Sequence, residues 1–433
     1  MKTIISIIFI LIVSLGNAQT SKENLEKYNT YKTNLKYFRV VGEGAKRSII
    51  GERRAGLLSF GDGGVNQGWY IGVLATEYAV SIKNKNIRGA QKTLLELYYA
   101  LLSLNRLDAV SQSRYIHEQA PNYSDTLNAI AVRTDGWSDI PDVEYYDAIN
   151  EKNKEAYPIN HQGKHWESIT TMERQYYAPP HKHDYFSQDQ LYHVLMGLYL
   201  TYNYVNIEHS FSLSDGTQKT INFRTMAKDI ALRFIHTVAD HHFKLKTPEG
   251  KTSYGGYAVI YANPLISLAQ AMGSEHKFKK RNNPFWNLSG GVGASWPLNK
   301  TDLAHMHLVM ASISDARFSI TRSNAKAIYR QAKDKTYQWE AFYPLLHNNL
   351  WGEKPMSDSY YQLVEGVLNS APKINPQNNA AGGPEGWRAY PKFMKSAEHQ
   401  KGGNPNFSAY YSGIDYMLLY NLYQLRGLGV FGE

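Results

Sequence analysis

The sequence predicts a mainly α-helical protein, an (α/α) toroid of helical hairpins with long irregular loops at one mouth. Three observations lead there. Apolar residues recur at three- and four-residue spacing in run after run, the mark of helices with one buried face. Sustained period-two alternation is absent, which argues against an extensive sheet. No fixed period of roughly 20 to 50 residues stands out, so a closed or partly closed array of hairpins is favoured over a regular solenoid.

Taken in order, residues 1–18 read as a secretion signal, with Lys2 as the positive region, residues 4–15 as the apolar core and Gly16-Asn17-Ala18 as the cleavage site. That core is too short to span a bilayer, and no later run approaches the roughly 18 apolar residues of a transmembrane helix. An exported protein, secreted or periplasmic, with no transmembrane segment is expected. Residues 19–433 read as a single domain. Residues 20–46 are polar and helix-compatible, and Gly61, Gly63 and Gly64 around Asp62 make a loop before a helix over 65–82 with Tyr70, Val73, Leu74 and Tyr78 on one face. A glycine cluster at a helix start can cradle an anion, but the Lys-Ser/Thr ending of a phosphate loop is missing. A second helix over 89–108 turns Leu94, Leu97, Tyr98, Leu101, Leu102 and Leu104 inward, with a short continuation toward residue 120.

From about 121 to 180 periodicity is lost, and an irregular insertion of that length is uncommon in a compact domain unless it is functional or contains short strands. Beyond it, Ser187 is a natural N-cap and Gln190 completes an S-x-x-Q capping box, so a helix begins at Gln188. Leu191, Val194, Leu195, Leu198, Tyr202 and Val205 mark its buried face. Asp189 and His193 fall on the other side, toward solvent or a polar cavity. Further helices are expected over 221–240, 257–272, 302–320, 324–332, 340–350, 357–368 and 411–426, with Gly, Pro or Asn in most of the intervening loops.

A net charge of +9 and a pI near 9.2 favour an anionic partner. Export and the dispersal of the basic residues exclude nucleic acid, leaving an acidic polysaccharide or oligosaccharide, uronate-bearing or sulfated. The 33 tyrosines and 8 tryptophans supply rings that stack on sugar faces, although most tyrosines are expected simply to pack between helices. The absence of cysteine excludes a thiol nucleophile, disulfides and thiolate metal sites.

Four segments hold the groups suited to chemistry: Arg133, Asp135 and Trp137; His181, His183 and Asp184 with Gln188 and Asp189; a TSYGGY turn with Tyr254 and Tyr257; and Glu385, Trp387, Arg388 and Tyr390. β-Elimination at a uronate needs a clamp for the carboxylate, a base for the C5 proton and an acid for the leaving oxygen. His183 or His181 with Tyr254 or Tyr257 can move the protons, and Arg133, Gln188 or Arg388 can hold the carboxylate. Hydrolysis would instead take two carboxyl groups from Asp135, Asp184, Asp189 and Glu385. Neither route requires a metal or another cofactor. No H-E-x-x-H or G-x-S-x-G occurs, and the adjacent or alternate histidines at 181/183, 241/242 and 305/307 fit loops, a helix C-terminus and diverging helix faces. A solvated loop followed by an ordinary capped helix accounts for the 178–205 stretch without any chemistry.

Export signal, helical hairpins, tyrosine-rich loops and His/Tyr candidates together resemble the (α/α)-toroid polysaccharide lyases and related carbohydrate-active enzymes of bacterial polysaccharide utilisation. The segments FGDGGVNQGWYIGVLATEY, FSQDQLYHVLMGLYLTYNYV and SGIDYMLLYNLYQL are similar to a secreted family of that setting. The resemblance implies an exported enzyme cleaving glycosidic bonds of an anionic polysaccharide by elimination. Hydrolysis, or glycan binding without catalysis, remain the other expectations.

Overall fold

A computed structural model describes residues 22–35, 38–42, 47–50, 52–54, 57–59, 63–116, 127–131, 139–141, 185–212, 216, 218–248, 250–257, 262–278, 304–314, 337–352, 355–373 and 409–426. The protein is mainly helical, as the periodicity predicts. Its helices are α1 (22–34), α2 (Gly63–Lys83), α3 (Ile87–Ile116), α4 (Gln188–Tyr204), α5 (Phe223–Asp240), α6 (Ala262–Ala271), α7 (Ala304–Ile313), α8 (Tyr337–Trp351), α9 (Asp358–Ser370) and α10 (Ile414–Gln424). The expected helix over 324–332 lies outside the described residues.

Two kinds of helix alternate over much of the chain. In α2 every residue from Asn66 to Ala79 is buried, as is every residue of α4 from Gln190 to Thr201 and of α10 from Ile414 to Leu422. These helices are apolar nearly all round, so each must be enclosed by protein. By contrast, α5 buries one stripe, Phe223, Ala227, Ile230, Ala231, Phe234, Ile235 and Val238, as an outer helix does. The sequence predicts one buried face for α4, with Asp189 and His193 toward solvent or a polar cavity; His193 is instead buried, because that side meets α2.

Residue pairs fix the directions of packing. Gly64 lies against Gln190, Gly68 against His193 and Val194, and Gly72 against Leu200, so α2 and α4 run parallel. Gly72 also meets Leu418, while Asn421 Nδ2 donates to Val73 O and Thr76 Oγ1, which makes α10 parallel to α2. Asn349 Nδ2 donates to Leu422 O, and Tyr343 stands near enough to Asp415 to feel its charge, so α8 shares this direction. The outer helices run the other way: Glu77 pairs with Thr93 and Gln67 with Ala100 and Ser103 across α2 and α3. Phe186 likewise stacks on Phe234, and Arg224 on Tyr202, across α4 and α5. Contacts run from α2 to α4, α4 to α7, α7 to α8, α8 to α10 and α10 back to α2.

The closest approach is between α2 and α4. Gly64, Gly68 and Gly72 recur every four residues on one side of α2, and a Cβ on Gly68 would sit 2.1 Å from His193 O. Gly197 returns the fit, its would-be Cβ 2.3 Å from Gly68 O. Only hydrogen fits there, so these glycines serve backbone-to-backbone packing. Gly63 and Gly64 belong to the helix rather than to the preceding loop.

Short antiparallel strands join the helices, too short to show a sustained alternation in the sequence. They are β1 (Arg39–Gly42) paired with β2 (Arg47–Ile50), a four-stranded sheet in the order β10 (Ala409–Tyr410), β3 (Glu52–Arg54), β4 (Leu57–Ser59), β5 (Asp139–Pro141), and the hairpins β6 (Glu208–Ser212) with β7 (Gln218–Asn222) and β8 (Lys244–Lys246) with β9 (Thr252–Tyr257). The β6–β7 hairpin lies on the surface with only Phe211 buried, so a period-two pattern has little to act on. The TSYGGY segment is β9 and not a turn. Its Tyr257 pairs with Lys244, and the helix expected from residue 257 begins only at Ala262.

Two buried anions bind the layers together. Glu77 accepts from Tyr28 and Thr93 and pairs with Lys32, tying α1, α2 and α3. Asp108, fully buried, accepts from Asn128 N, Ala129 N and Arg233 Nε, tying α3, the 127–131 segment and α5. Burial pushes its pKa up, while Arg233 and the two backbone N–H groups pull it back.

Candidate functional site

The parallel helices α2, α4, α8 and α10 turn their N-termini to one end of the molecule, and several irregular segments are tied down there. Phe186, two residues before α4, donates its N–H to Ala131 O, and its carbonyl accepts from Ser253 Oγ. Phe186 thus joins residues 127–131, the residues just before α4 and β9. Strand β10 runs into α10, β4 precedes α2, and β5 starts two residues beyond Trp137, all in one sheet.

The individual site residues fare differently. Arg133, Asp135, Trp137, His181, His183, Asp184, Glu385, Trp387, Arg388 and Tyr390 lie outside the described residues. Tyr254 and Tyr257 are on β9. Gln188 and Asp189 form the first turn of α4 and are half-buried, and Gln188 Oε1 has no hydrogen-bond partner.

The cap differs from expectation. Ser187 is the N-cap, but its hydroxyl donates to the Asp189 carboxylate instead of accepting from the helix. Gln190 Oε1 accepts from Gly64 N at 3.2 Å, holding α4 to α2. That same bond occupies an N–H that the glycine cluster would have offered an anion. His193 Nδ1 lies 2.7 Å from Asp189 O, which can only accept, so the ring nitrogen carries the proton of this bond. The ring stacks over Trp69 at 6.1 Å, and Trp69 in turn packs on Phe342 of α8 at 4.8 Å.

The polar group that sequence reasoning missed is Asp415, in the first turn of α10. It is fully buried; Oδ1 accepts from Tyr411 OH at 2.5 Å and Tyr416 N at 2.9 Å, and Oδ2 has no partner. Burial raises its pKa to about 7, against the pull of those hydrogen bonds. Tyr343 OH, also buried, likewise lacks a partner, and burial together with the Asp415 charge pushes its pKa far up. Tyr31 completes the surround, its ring 5.5 Å from Tyr411 and its hydroxyl donating to Pro372 O. A signal was present in S-G-I-D-Y-M-L-L-Y: a carboxyl in the first turn of a helix apolar on every side has no solvent to face. Asn66, on the first turn of α2, is a second buried side chain with both amide atoms unpartnered.

Chemically, this end offers a carboxyl protonated near neutral pH, an unengaged phenol, a free amide oxygen and several aromatic rings. Among the described residues no cluster of three or more His, Asp or Glu could hold a metal ion, and no helix is long and apolar enough to cross a membrane. Comparison with protein-family models, curated proteins and solved structures finds no match to the chain.

Proposed function

We propose that the chain is an exported enzyme that cleaves glycosidic bonds in an anionic polysaccharide, uronate-containing or sulfated, by β-elimination, within an (α/α) toroid. The observation that carries this reading is the gathering of irregular segments at the N-terminal end of the parallel inner helices, with Phe186 fastening three of them. The circuit of contacts through α2, α4, α7, α8 and α10, with antiparallel partners outside α2 and α4, supports the toroid. Four helix N-termini directed to one end favour an anionic ligand there, since each carries a partial positive charge of about half a unit. The positive net charge supports the same choice.

In this reading Arg133, Gln188 or Arg388 holds the uronate carboxylate and acidifies the C5 proton. His183, His181 or Tyr257 removes it, and Trp137, Trp387 and Tyr254 stack on or bond flanking sugars. Asp135 and Asp189 orient hydroxyl groups or the base. Hydrolysis is the second reading, favoured by the raised pKa of Asp415, the property of a general acid in glycosidases.

Purified protein incubated with a panel of uronate and sulfated polysaccharides tests the proposal. Ultraviolet absorbance from a new conjugated uronate, lost in His183→Ala, is the expected result. New reducing ends without that absorbance would transfer the assignment to hydrolysis. Retention on an immobilised acidic glycan with no product from any polymer would instead identify a binding protein.

A further inference from the structure

The turn between α2 and α3 breaks two local rules at one exposed corner. Its backbone closes α2 in the ordinary way: Lys85 N donates to Ile82 O and Asn86 N to Ser81 O, and Asn86 Oδ1 then accepts from Gly89 N to cap α3. The residue in the left-handed conformation is Lys85, at a φ of +58°, where glycine would meet no steric penalty. Arg88 stands in the first turn of α3, where the helix dipole disfavours a cation and no acidic side chain offsets it. Two positive charges thus sit at this corner against local stability.

Apolar side chains are exposed at the same corner. Every residue from Ile82 to Arg88 is exposed, and Ile82 and Ile87, at 39% and 57%, are two of the four large hydrophobic side chains exposed among the described residues. No acidic residue lies between Glu77 and Glu96, a stretch that holds Lys83, Lys85, Arg88 and Lys92. Lys83 donates to Gln424 O at the end of α10, as a lysine at a helix C-terminus can. Lys85, Arg88 and Lys92 form no ion pair with described residues. Arg426 adds a cation at the same end: partial burial and its charge lower the Lys83 pKa, and its guanidinium lies 3.8 Å from the ring centre of half-buried Tyr423.

We propose that this corner docks the protein on an anionic phospholipid surface, with Ile82 and Ile87 entering the headgroup region and Lys85, Arg88 and Lys92 meeting lipid phosphates. Aliphatic side chains ringed by unpaired cations fit that surface. An acidic glycan is the poorer match, because isoleucine has no ring to stack on a sugar, and a second copy of the chain would bring like charges together. Neither the apolar pair nor the cations suffice alone, so binding depends on both. The corner lies at the C-terminal end of α2, opposite the end where the irregular segments gather, so a docked molecule keeps those segments turned away from the lipid. The proposal does not depend on glycosidic cleavage.

The test is sedimentation with vesicles of phosphatidylcholine alone and of phosphatidylcholine mixed equally with phosphatidylglycerol, with Tm measured in parallel. Residues 4–15 are apolar and would bind lipid themselves, so the protein is taken from Gln19 onward. Binding is expected to the mixed vesicles and not to phosphatidylcholine, and to be lost as salt rises from about 0.1 M to about 1 M. Lys85→Gly should weaken it about fivefold while keeping or raising Tm, a combination that damage to the fold would not give. Ile87→Ser should also weaken it about fivefold, and the two together with Arg88→Gln should abolish it. Equal binding to both kinds of vesicle, binding to neither, or variants that bind as the parent does overturns the proposal. A dimer dispersed by Ile87→Ser, or retention on an acidic glycan lost in these variants without any vesicle binding, gives the corner to that other partner and likewise overturns it. Cleavage of soluble polysaccharide should be the same in parent and variants, so either reading can fail while the other stands.

Discussion

At Gly68 and Gly197 the two inner helices touch through their backbones, and one methyl group has nowhere to go. Gly68→Ala or Gly197→Ala is expected to cost at least about 1–3 kcal/mol, because the colliding atoms are carbonyls and cannot rotate away. Denaturant unfolding should show a lower midpoint at unchanged slope. The glycine spacing is plain in the sequence, but the same residues also read as turn formers, and only the partner helix decides between the two roles. Asp415 is the other residue whose environment governs its behaviour. Its carboxyl ionises near 3.8 when unfolded and near 7 when folded, so between these values the unfolded chain binds fewer protons. Stability should therefore fall as pH rises through that window, and Asp415→Asn should flatten the slope in thermal melts at pH 4 to 7. Single-residue chemistry of this kind is not legible in the sequence: His193 is expected to face solvent or a polar cavity, and its burial against Trp69 depends on a residue 124 positions away.

At the level of elements, α8 carries Pro344 in its interior, which removes one N–H from the ladder and leaves the carbonyl four residues earlier without its usual donor. Tyr360 of α9 repairs the gap: its hydroxyl donates to Ala341 O at 2.6 Å and to Glu340 O at 3.2 Å. Tyr360→Phe should cost about 1–3 kcal/mol by leaving Glu340 O without a donor, measured by chemical denaturation. The 127–131 segment depends in a similar way on Asp108, which holds Ala129 at a φ of +63°. Asp108→Ala removes the acceptor for two backbone N–H groups and for half-shielded Arg233, at an expected cost of about 3–5 kcal/mol, with hydrogen exchange at Ala129 rising first. Helix existence was largely legible, since α2, α3, α4, α5, α8, α9 and α10 all fall within a few residues of their expected spans. The strands are only two to six residues long, and the β6–β7 hairpin buries a single side chain, which leaves little alternation to read. The β9 error has a definite cause: Tyr257, Val259 and Ile260 continue a helical spacing into α6, and nothing local shows that Thr252 to Tyr257 pairs with Lys244 and Lys246.

Across the whole molecule, α1 is held not only to Glu77 of α2 but also to the far end of the chain. Lys27 Nζ donates to Leu368 O and Asn369 O, Asn24 Nδ2 to Asn369 Oδ1, and Tyr416 OH to Asn24 O, spanning 341 to 392 positions. Deleting residues 19–36 should therefore expose Tyr416 and Tyr420 of α10 and lower Tm sharply, read by calorimetry together with binding of a hydrophobic dye. The same feature bears on when the fold can form. A nascent chain, or one still threading across a membrane as the proposed export requires, presents α1 long before α10 exists. Lys27 and Asn24 then have no counterpart, and in an exported chain this clasp would close only after α10 has cleared the channel, leaving the polypeptide loose and transportable until its journey is over.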